Sequence, residues 1–303
     1  MINLLFTGND KIFDGLAIAL ISITKHCKEP LNVVVLTMDL QHINPNYKSL
    51  EMNKIAVLEK HIKNTNEQSK IQLVDITKLF LEKNKDSVNM ENSYSPYAFI
   101  RLLADEVPEV PDKALYLDID VVAGGDISEL YSYDVTNYEY GAVRDYYGKI
   151  FLGPNYINSG VMLLNMKKIR ETKLFEKCRT IVNTKKLAFP DQTALNKCAK
   201  LKLYLPTKFN SQRKCHKSDV IRHFCKSIRW RPMFMKKDNP NKKYCQPFSK
   251  WFRLFHTINI KPWHVDALHS KLKCFKFDEV LNEYKILLEK TNELKGNLNY
   301  EKN

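Results

Sequence analysis

Short apolar runs alternate with longer amphipathic stretches along the first 125 residues, and this alternation constrains the fold more than any other feature. Residues 2–7 and 31–37 are almost continuously apolar, as expected for strands that are buried on both faces. Residues 16–26, which lie between them, have helical spacing of apolar side chains. The pattern predicts an α/β fold with a parallel sheet covered by helices. Further strands are predicted at 71–76, 114–120, 140–145, 160–166 and 220–224, and helices at 45–63, 95–106, 167–185, 191–199 and 278–290.

The composition excludes several classes of protein. Of 303 residues, 44% are hydrophobic and 27% are charged, so the chain is neither collagen-like nor compositionally disordered. Its longest apolar runs are far shorter than the roughly 20 residues that span a bilayer. The N-terminus has no basic stretch before an apolar one. The seven cysteines form no CxxC pair, which argues against a zinc or redox site. We therefore expect a cytoplasmic protein with reduced thiols.

Charge is distributed unequally between the two halves of the chain. Residues 1–150 contain 15 Lys and Arg against 22 Asp and Glu, a net charge of −7, whereas residues 151–303 have a net charge of +21. From about residue 200 onward, lysines and arginines are interleaved with Phe, Trp and Tyr. This asymmetry indicates that the second half contacts a polyanion, an anionic membrane surface or a ligand with phosphate groups. The alternative is a basic tail that only keeps the protein soluble.

A pair of carboxylates ends the strand predicted around residue 117. Asp118 and Asp120 flank Ile119 directly after an apolar run, and ligands of α/β proteins bind at the carboxyl ends of strands. At such an end, both carboxylates can converge on a hard cation such as Mg²⁺ or Mn²⁺. An ordinary acidic turn is the alternative. The turn after the first strand, residues 7–10, is neither a GxGxxG motif nor a P-loop. The sequence therefore supports neither a dinucleotide-binding protein nor an NTP hydrolase.

Three segments in a fixed order resemble the retaining nucleotide-sugar glycosyltransferases of family 8, which include glycogenin and bacterial lipopolysaccharide galactosyl- and glucosyltransferases. The first segment is Arg101-Leu102-Leu103 followed by residues 112–120, DKALYLDID. The second is NSGVMLLNM at residues 158–166, and the third is DQTALN at residues 191–196. The resemblance covers roughly residues 1–265. It implies a GT-A fold, that is, a Rossmann-like mixed sheet flanked by helices, here with a basic C-terminal extension.

The resemblance also implies a division of the chain into three parts. Residues 1–200 would form the nucleotide-sugar-binding core, residues 201–270 a closing segment on the metal and acceptor side, and residues 271–303 a C-terminal helix with a basic tail. Residues 227–260 are an insertion within the closing segment.

Individual roles follow from the resemblance. Asp118 and Asp120 would hold Mn²⁺ or Mg²⁺ at the diphosphate of a UDP-sugar, with Asp118 also near the ribose. Thr7 and Asn9 would line the uracil site. The catalytic residues would be Asp191 and Gln192, with Gln192 opposite the leaving phosphate. The other donor-binding positions implied are Arg101, Ile119, Asp145, Asn158 and Ser159. For Arg101, Asp145, Asn158 and Asp191 the structural alternatives are an ion pair, a turn residue or a helix cap.

The third metal ligand departs from the family pattern. The family's closing HxxGxxKPW motif is split here, because His223 is followed by Lys226 in place of the glycine and Lys261 appears only after the insertion. We expect His223 to be the ligand because an apolar strand precedes it, with His256 as the alternative. Lys261 is predicted to contact the diphosphate, and Lys226 and Arg229 are possible substitutes.

The resemblance predicts transfer of a hexose from UDP-glucose or UDP-galactose to a hydroxyl of a glycan or glycolipid, with retention of configuration. The sequence has no evident pair of carboxylates that would act as nucleophile and acid, in contrast to retaining glycoside hydrolases. Peripheral attachment to the inner face of a membrane, through the basic second half, is also expected. Two alternatives are a nucleotide-sugar hydrolase and a basic nucleic-acid-binding protein. No RNP, KH, zinc-finger or helix-turn-helix signature supports a specific nucleic-acid partner.

Overall fold

A computed structural model describes residues 1–90, 95–187, 189–212, 216–225, 227–230, 255–258 and 277–300. Side chains are described within these ranges, apart from those of residues 227–230, 255–258, 277–278 and 293–300.

A seven-stranded sheet forms the centre of the molecule, with strand order β3-β2-β1-β4-β7-β6-β8. The neighbours β3, β2, β1 and β4 are parallel, whereas β7 is antiparallel to both β4 and β6. The sheet is therefore mixed, as the GT-A prediction requires and in contrast to the purely parallel sheet that alternation alone predicts. Its strands are β1 Ile2–Thr7, β2 Leu31–Thr37, β3 Lys70–Asp75, β4 Lys113–Leu117, β6 Tyr140–Arg144, β7 Ile157–Asn165 and β8 Lys202–Tyr204.

Two antiparallel strand pairs lie outside this sheet. β5 (Val121–Ala123) pairs with β9 (Ile221–His223), and β10 (Ser227–Trp230) pairs with β11 (Phe255–Ile258). The first pair matters for the site, because it links the segment after β4 to a segment about 100 residues further along the chain.

Helices cover both faces of the sheet and bury two hydrophobic cores. One core includes apolar residues of α1, α2 and α9, and the other includes those of a 3₁₀ helix at Pro96–Glu106 and of α6, α7 and α8. The α-helices are α1 Phe13–His26, α2 Met52–Lys63, α3 Thr77–Asn84, α4 Ser128–Tyr131, α5 Gly148–Phe151, α6 Met166–Thr172, α7 Leu174–Thr184, α8 Pro190–Cys198 and α9 Phe277–Tyr300. Short 3₁₀ helices occur at Asp10–Ile12 and Thr207–Phe209.

Several predicted boundaries are wrong. The single helix predicted over residues 167–185 is two helices, because Lys173 adopts a left-handed conformation with φ of 53° and ends α6. The helix predicted to start at residue 45 starts at Met52, and the helix predicted to end at residue 290 continues to Tyr300. The helix predicted at residues 95–106 has 3₁₀ geometry, and all of its residues from Pro96 to Ala104 except Ala98 are buried.

α9 packs against α1 near the amino-terminal part of the chain. Val280 of α9 is buried, the Tyr284 hydroxyl donates to Asp14 Oδ1 at 2.8 Å, and Lys25 pairs with Glu283 at 2.5 Å. The final helix is therefore anchored to the core of the first half. Among the described residues, no helix combines the length and apolar character needed to cross a membrane. The division into parts at residues 200 and 270 stays a prediction.

Candidate active site

The site is built at the carboxyl end of β4. β4 ends at Leu117, and the backbone N–H of Asp118 donates to the carbonyl oxygen of Gly160 on β7 at 2.8 Å. The strand predicted to include both carboxylates is thus shorter than expected. Asp118 and Asp120 lie in the turn before β5, where the backbone leaves the sheet.

The β5–β9 pair brings His223 to this turn. The register pairs Val121 with His223, and the N–H of Phe224 donates to the carbonyl oxygen of Asp120 at 2.8 Å. Because Asp120 immediately precedes Val121, the histidine side chain lies beside the two carboxylates. This placement explains how residues from distant parts of the sequence form one cluster.

Asp118, Asp120 and His223 present one ligand atom each within 4.8 Å of one another. His223 Nε2 lies 3.2 Å from Asp120 Oδ1 and 3.6 Å from Asp118 Oδ2. Asp120 and His223 are buried, and Asp118 is half-buried. Two carboxylates and one imidazole are a donor set suited to Mn²⁺.

Asn210 fixes the orientation of the His223 ring. Its Nδ2 donates to Asn158 Oδ1 at 2.9 Å, so its Oδ1 is left to accept from His223 Nδ1 at 3.1 Å. In this arrangement Nδ1 carries the proton and the lone pair of Nε2 faces the carboxylates. Three electron-rich atoms that converge in this way offer a divalent metal ion three ligands, so the residues present fit such an ion.

Gly160 allows this approach. A Cβ atom at residue 160 would lie 2.1 Å from His223 Cε1 and 2.7 Å from Nδ1, a distance at which the imidazole could not remain. The glycine of the segment NSGVMLLNM is therefore explained by the close contact between the β7 backbone and His223.

Arg101 connects Asp118, Asp120 and His223, which we call the metal-ligand cluster because they could hold a metal ion, to the predicted catalytic residues. Its Nη2 donates to Asp118 Oδ1 at 2.7 Å and its Nη1 donates to the Ser159 carbonyl oxygen at 2.5 Å. Its Nε lies 3.2 Å from Asp191 Oδ2, an ion-pair distance without hydrogen-bond geometry. The guanidinium also lies 4.0 Å from the centre of the Tyr116 ring.

Electrostatics keep Arg101 charged. Burial lowers the pKa of the Arg101 guanidinium, but the neighbouring Asp118, Tyr116 and Asp191 outweigh burial, so the pKa lies above its usual value. Burial raises the pKa of the Asp191 carboxyl, and Arg101 partly opposes that rise. The site thus contains one permanent buried cation between two carboxylates that come from different elements.

Asp191 and Gln192, at the start of α8, are held by Ser159. The Ser159 hydroxyl donates to Asp191 Oδ2 at 3.3 Å, and the Ser159 N–H donates to Gln192 Oε1 at 3.0 Å. Gln192 Nε2 reaches Asp145 Oδ2 at 3.5 Å. The segment DQTALN is therefore positioned by the segment NSGVMLLNM, through Ser159.

Asp145 closes the network on the side of β6. Its Oδ2 accepts from Asn158 Nδ2 at 2.8 Å, and its Oδ1 accepts from the backbone N–H groups of Tyr147 and Gly148 at 3.1 and 2.6 Å. It is both a turn residue, which was one alternative for it, and a direct neighbour of Asn158 and Gln192.

Thr7 joins the site through Tyr116. The Thr7 hydroxyl lies 3.3 Å from the Tyr116 hydroxyl, which donates to Asp118 Oδ1 at 2.8 Å. Burial raises the pKa of the Tyr116 hydroxyl well above its ordinary value, so it remains a donor. Asn9 accepts from the N–H of Lys11 and donates to the Asn46 carbonyl oxygen at 3.3 Å.

Other predicted positions either make no contact with this network or lie where the structure describes no side chain. Ile119 is half-buried and packs against the first hydrophobic core. Lys226 and Lys261 lie outside the described residues. His256 and Arg229 are paired across β10 and β11, and their side chains also lie outside the description.

Sequence reasoning assigned no role to Tyr116 or Asn210. Tyr116 lies inside the segment DKALYLDID, two residues before Asp118, so its spacing was a usable signal. Asn210 follows a short 3₁₀ helix in a segment without a recognisable motif, and only the fold brings it to His223.

Comparisons with known proteins agree with this architecture. The profile of a family described as "Glycosyl transferase family 8" matches residues 3–267. Lipopolysaccharide 1,2-glucosyltransferase of Escherichia coli K12 is 32% identical over 180 residues, which are 54% of this chain and 48% of that protein. The chain thus spans about half the length of this curated relative.

Two solved structures show a similar fold at low sequence identity. Galactosyltransferase LgtC, in complex with donor and acceptor sugar analogues, is 18% identical with a TM-score of 0.59, and the match covers 93% of this chain and 96% of that one. Glycosyltransferase GlyE of Streptococcus pneumoniae TIGR4 is 16% identical with a TM-score of 0.58, over 96% of this chain and 63% of that one. The mixed sheet is therefore the GT-A fold, and since the family profile matches most of its length, the chain belongs to glycosyltransferase family 8.

Proposed function

We propose that this protein transfers a hexose from UDP-glucose or UDP-galactose to a hydroxyl of a glycan or glycolipid, with retention of configuration and with a divalent metal ion. The observation that carries the proposal is the convergence of Asp118, Asp120 and His223 beside Arg101. A nucleic-acid-binding protein would not require these residues next to the family's donor-binding segments. A nucleotide-sugar hydrolase could use the same pocket, with water as the acceptor, and is separated from a transferase by experiment.

The departure of UDP leaves negative charge on the diphosphate. A divalent ion held by Asp118, Asp120 and His223 would neutralise that charge as a Lewis acid. Arg101 contributes a fixed positive charge and holds Asp118 in place, so the site is organised before the donor arrives. The buried hydrogen-bonded network makes this organisation rigid.

In the proposed reaction, the bond between the anomeric carbon and the diphosphate oxygen breaks. The acceptor oxygen forms its bond on the same face, and its proton passes to the leaving phosphate. Gln192 supports the positively charged sugar through its amide dipole, because Ser159 and Asp145 fix its side chain. Asp191 is paired with Arg101 and adds negative charge near the same place. This route needs no enzyme carboxylate as nucleophile.

The decisive experiment is an incubation of the protein with UDP-glucose, UDP-galactose and their N-acetyl derivatives, with Mn²⁺ and with or without a sugar acceptor. We expect UDP release that depends on both metal and acceptor, and a product whose anomeric configuration matches the donor by NMR. Equal UDP release without acceptor would instead identify a nucleotide-sugar hydrolase. No turnover combined with salt-sensitive oligonucleotide binding would identify a nucleic-acid-binding protein.

The identity of the third metal ligand has its own test. His223→Ala should weaken Mn²⁺-dependent UDP binding, whereas His256→Ala should leave it close to the parent value. The reverse result would transfer the role to His256.

A lipid-linked acceptor is consistent with the similarity to lipopolysaccharide 1,2-glucosyltransferase of E. coli. It is also consistent with the net charge of +21 in residues 151–303. Attachment of this basic half to an anionic membrane surface is therefore part of the proposal.

A further inference from the structure

The short helix α5 and the residue that follows it expose three consecutive large apolar side chains a few residues after Asp145 of the candidate site. Ile150, Phe151 and Leu152 are 59%, 70% and 61% exposed. We call residues 150–152 the apolar platform. Scattered single apolar residues on a surface are ordinary, but a contiguous group at the edge of a functional site marks a contact surface.

The platform is held in a fixed conformation. The N–H groups of Leu152 and Gly153 both donate to the carbonyl oxygen of Gly148, at 2.8 and 3.1 Å. Gly148 is in turn bound to Asp145 and packs so closely on Tyr156 that a Cβ atom there would lie 2.3 Å from the ring. The exposed side chains are therefore presented by a hydrogen-bonded helix end that shares Asp145 with the site network.

The residues that flank the platform in sequence are cationic and aromatic. Arg144 and Lys149 are exposed, with the Arg144 guanidinium 4.2 Å from the Tyr204 ring and Lys149 Nζ 5.3 Å from the Tyr146 ring. The only carboxylate within residues 144–156 is that of Asp145, which is turned toward the site network. Apolar side chains flanked by cations and tyrosines match the interface of an anionic bilayer, where the apolar groups insert and the cations meet the headgroups.

The size of the platform argues against a protein partner. A stable protein interface buries about 800 Å² on each partner, which requires 20 to 30 residues rather than a single turn. Insertion into lipid has no such requirement, because each apolar side chain contributes separately.

We propose that the apolar platform inserts into the interfacial region of an anionic phospholipid bilayer and thereby places the mouth of the candidate site at the membrane surface. This inference goes beyond the proposed function, which attaches the basic half of the chain to a membrane only through its charge, because it adds a specific apolar insertion point next to the site. It depends on the proposed function only because it assumes that the acceptor is lipid-linked.

The test is flotation of the full chain with vesicles of phosphatidylethanolamine, with and without phosphatidylglycerol. The triple variant I150S/F151S/L152S should partition onto phosphatidylglycerol vesicles roughly tenfold more weakly than the parent. Ile286→Ser is the matched control, because Ile286 is 51% exposed on α9, and its partitioning should be unchanged. UDP release with a short soluble acceptor should be the same in all three proteins.

A second variant keeps the test independent of how the triple variant folds. Phe151→Trp should gain indole fluorescence that vesicles with brominated acyl chains quench, relative to the parent. Absence of that quenching, or equal flotation of the parent and the triple variant, would overturn the inference. Unchanged flotation with a raised KM for the soluble acceptor would also overturn it, by identifying an acceptor contact instead. Vesicle binding needs no turnover, so failure of the proposed function would be recognised separately.

Discussion

Two arginines of this protein, Arg101 and Arg179, have the same exposure, 7%, and each faces two acidic side chains. They differ in the elements from which those acidic partners come. Arg179 of α7 pairs with Asp105 and Glu106 at 2.5 and 2.7 Å and also donates to the Leu102 carbonyl oxygen. All three partners belong to the 3₁₀ helix at Pro96–Glu106. Arg179 therefore links α7 to the end of this 3₁₀ helix.

Arg101 instead gathers partners from separate elements. Asp118 follows β4, Ser159 lies on β7, and Asp191 begins α8. Its Nε has an ion-pair neighbour but no hydrogen bond, whereas the donors described for Arg179 have close partners. The acids that pair with Arg179 come from one element, whereas those that pair with Arg101 come from the end of β4 and the start of α8, so only Arg101 connects separate elements of the candidate site.

The largest expected effect comes from removing a carboxylate of the metal-ligand cluster. Asp120→Asn should reduce kcat by roughly a thousandfold and abolish Mn²⁺-dependent UDP binding, because one anionic ligand is lost from the metal-ligand cluster. Steady-state UDP release and titration with UDP measure the two quantities. Asp105→Asn, which alters a partner of Arg179, is the matched control and should retain both. If Asp120→Asn remained active, the metal assignment would fail.

The second prediction exchanges each arginine for lysine. Arg101→Lys should lower kcat by about a hundredfold, since lysine cannot bridge Asp118 and the Ser159 carbonyl oxygen with one planar group. Arg179→Lys should keep kcat per folded molecule but lower the free energy of unfolding by about 1 to 3 kcal/mol. Urea denaturation and UDP release separate these outcomes. Equal loss of kcat in both variants would erase the distinction between the two arginines.

A third prediction concerns the residue that orients His223. Asn210→Ala should weaken Mn²⁺ affinity by roughly 10- to 100-fold, because the ring would lose the acceptor that fixes its tautomer. Excess Mn²⁺ should restore most of kcat. Asn165→Ala is the control: Asn165 caps α6 through the Lys168 N–H, so its loss should cost about 1 kcal/mol of stability without changing Mn²⁺ affinity. Unaltered affinity in Asn210→Ala would contradict the proposed role.

The smallest expected effect is a pH dependence of the unfolding free energy that comes from Asp105, a partner of Arg179. Burial raises the pKa of the Asp105 carboxyl above its ordinary 3.8, although Arg179 opposes this. The folded protein therefore binds this proton more tightly than the unfolded chain does. The stabilisation is present below pH 3.8 and is lost as the pH rises through the folded-state pKa. Relative to Asp105→Asn, the wild type should thus lose about 1.4 kcal/mol of unfolding free energy for each unit by which the pKa is raised. Urea denaturation at several pH values measures this effect. If the difference in unfolding free energy between the wild type and Asp105→Asn stayed constant as the pH rose above 3.8, the prediction would be contradicted.

Much of the fold could be predicted because its signals are local. β1 and β2 occupy their predicted ranges, since runs such as Leu31–Thr37 are apolar along their whole length and admit few alternatives. The break at Lys173 could not be predicted, because lysine rarely adopts a left-handed conformation and the surrounding sequence is amphipathic throughout.

The candidate site was predictable to the extent that its residues lie in recognisable segments. Asp118, Asp120, Asp191 and Gln192 stand next to apolar runs or helix starts, and the preference for His223 followed from the strand before it. Asn210 could not be found, because its importance lies in one hydrogen bond to a histidine in another strand. The exposure of Phe151 was equally hidden, since an apolar residue in a turn can be buried or exposed.

The positions of the longer apolar strands along the chain, and the acidic side chains that follow β4, were determined by the sequence alone, because hydrophobic periodicity and motif spacing act between near neighbours in the chain. Only the tertiary structure decided that Arg101 pairs with acids from two separate elements while Arg179 pairs with acids of one helix, and that the Nε2 atom of His223 faces two carboxylates. Those properties depend on the direction of hydrogen bonds between residues far apart in sequence, and a direction exists only once the chain has folded.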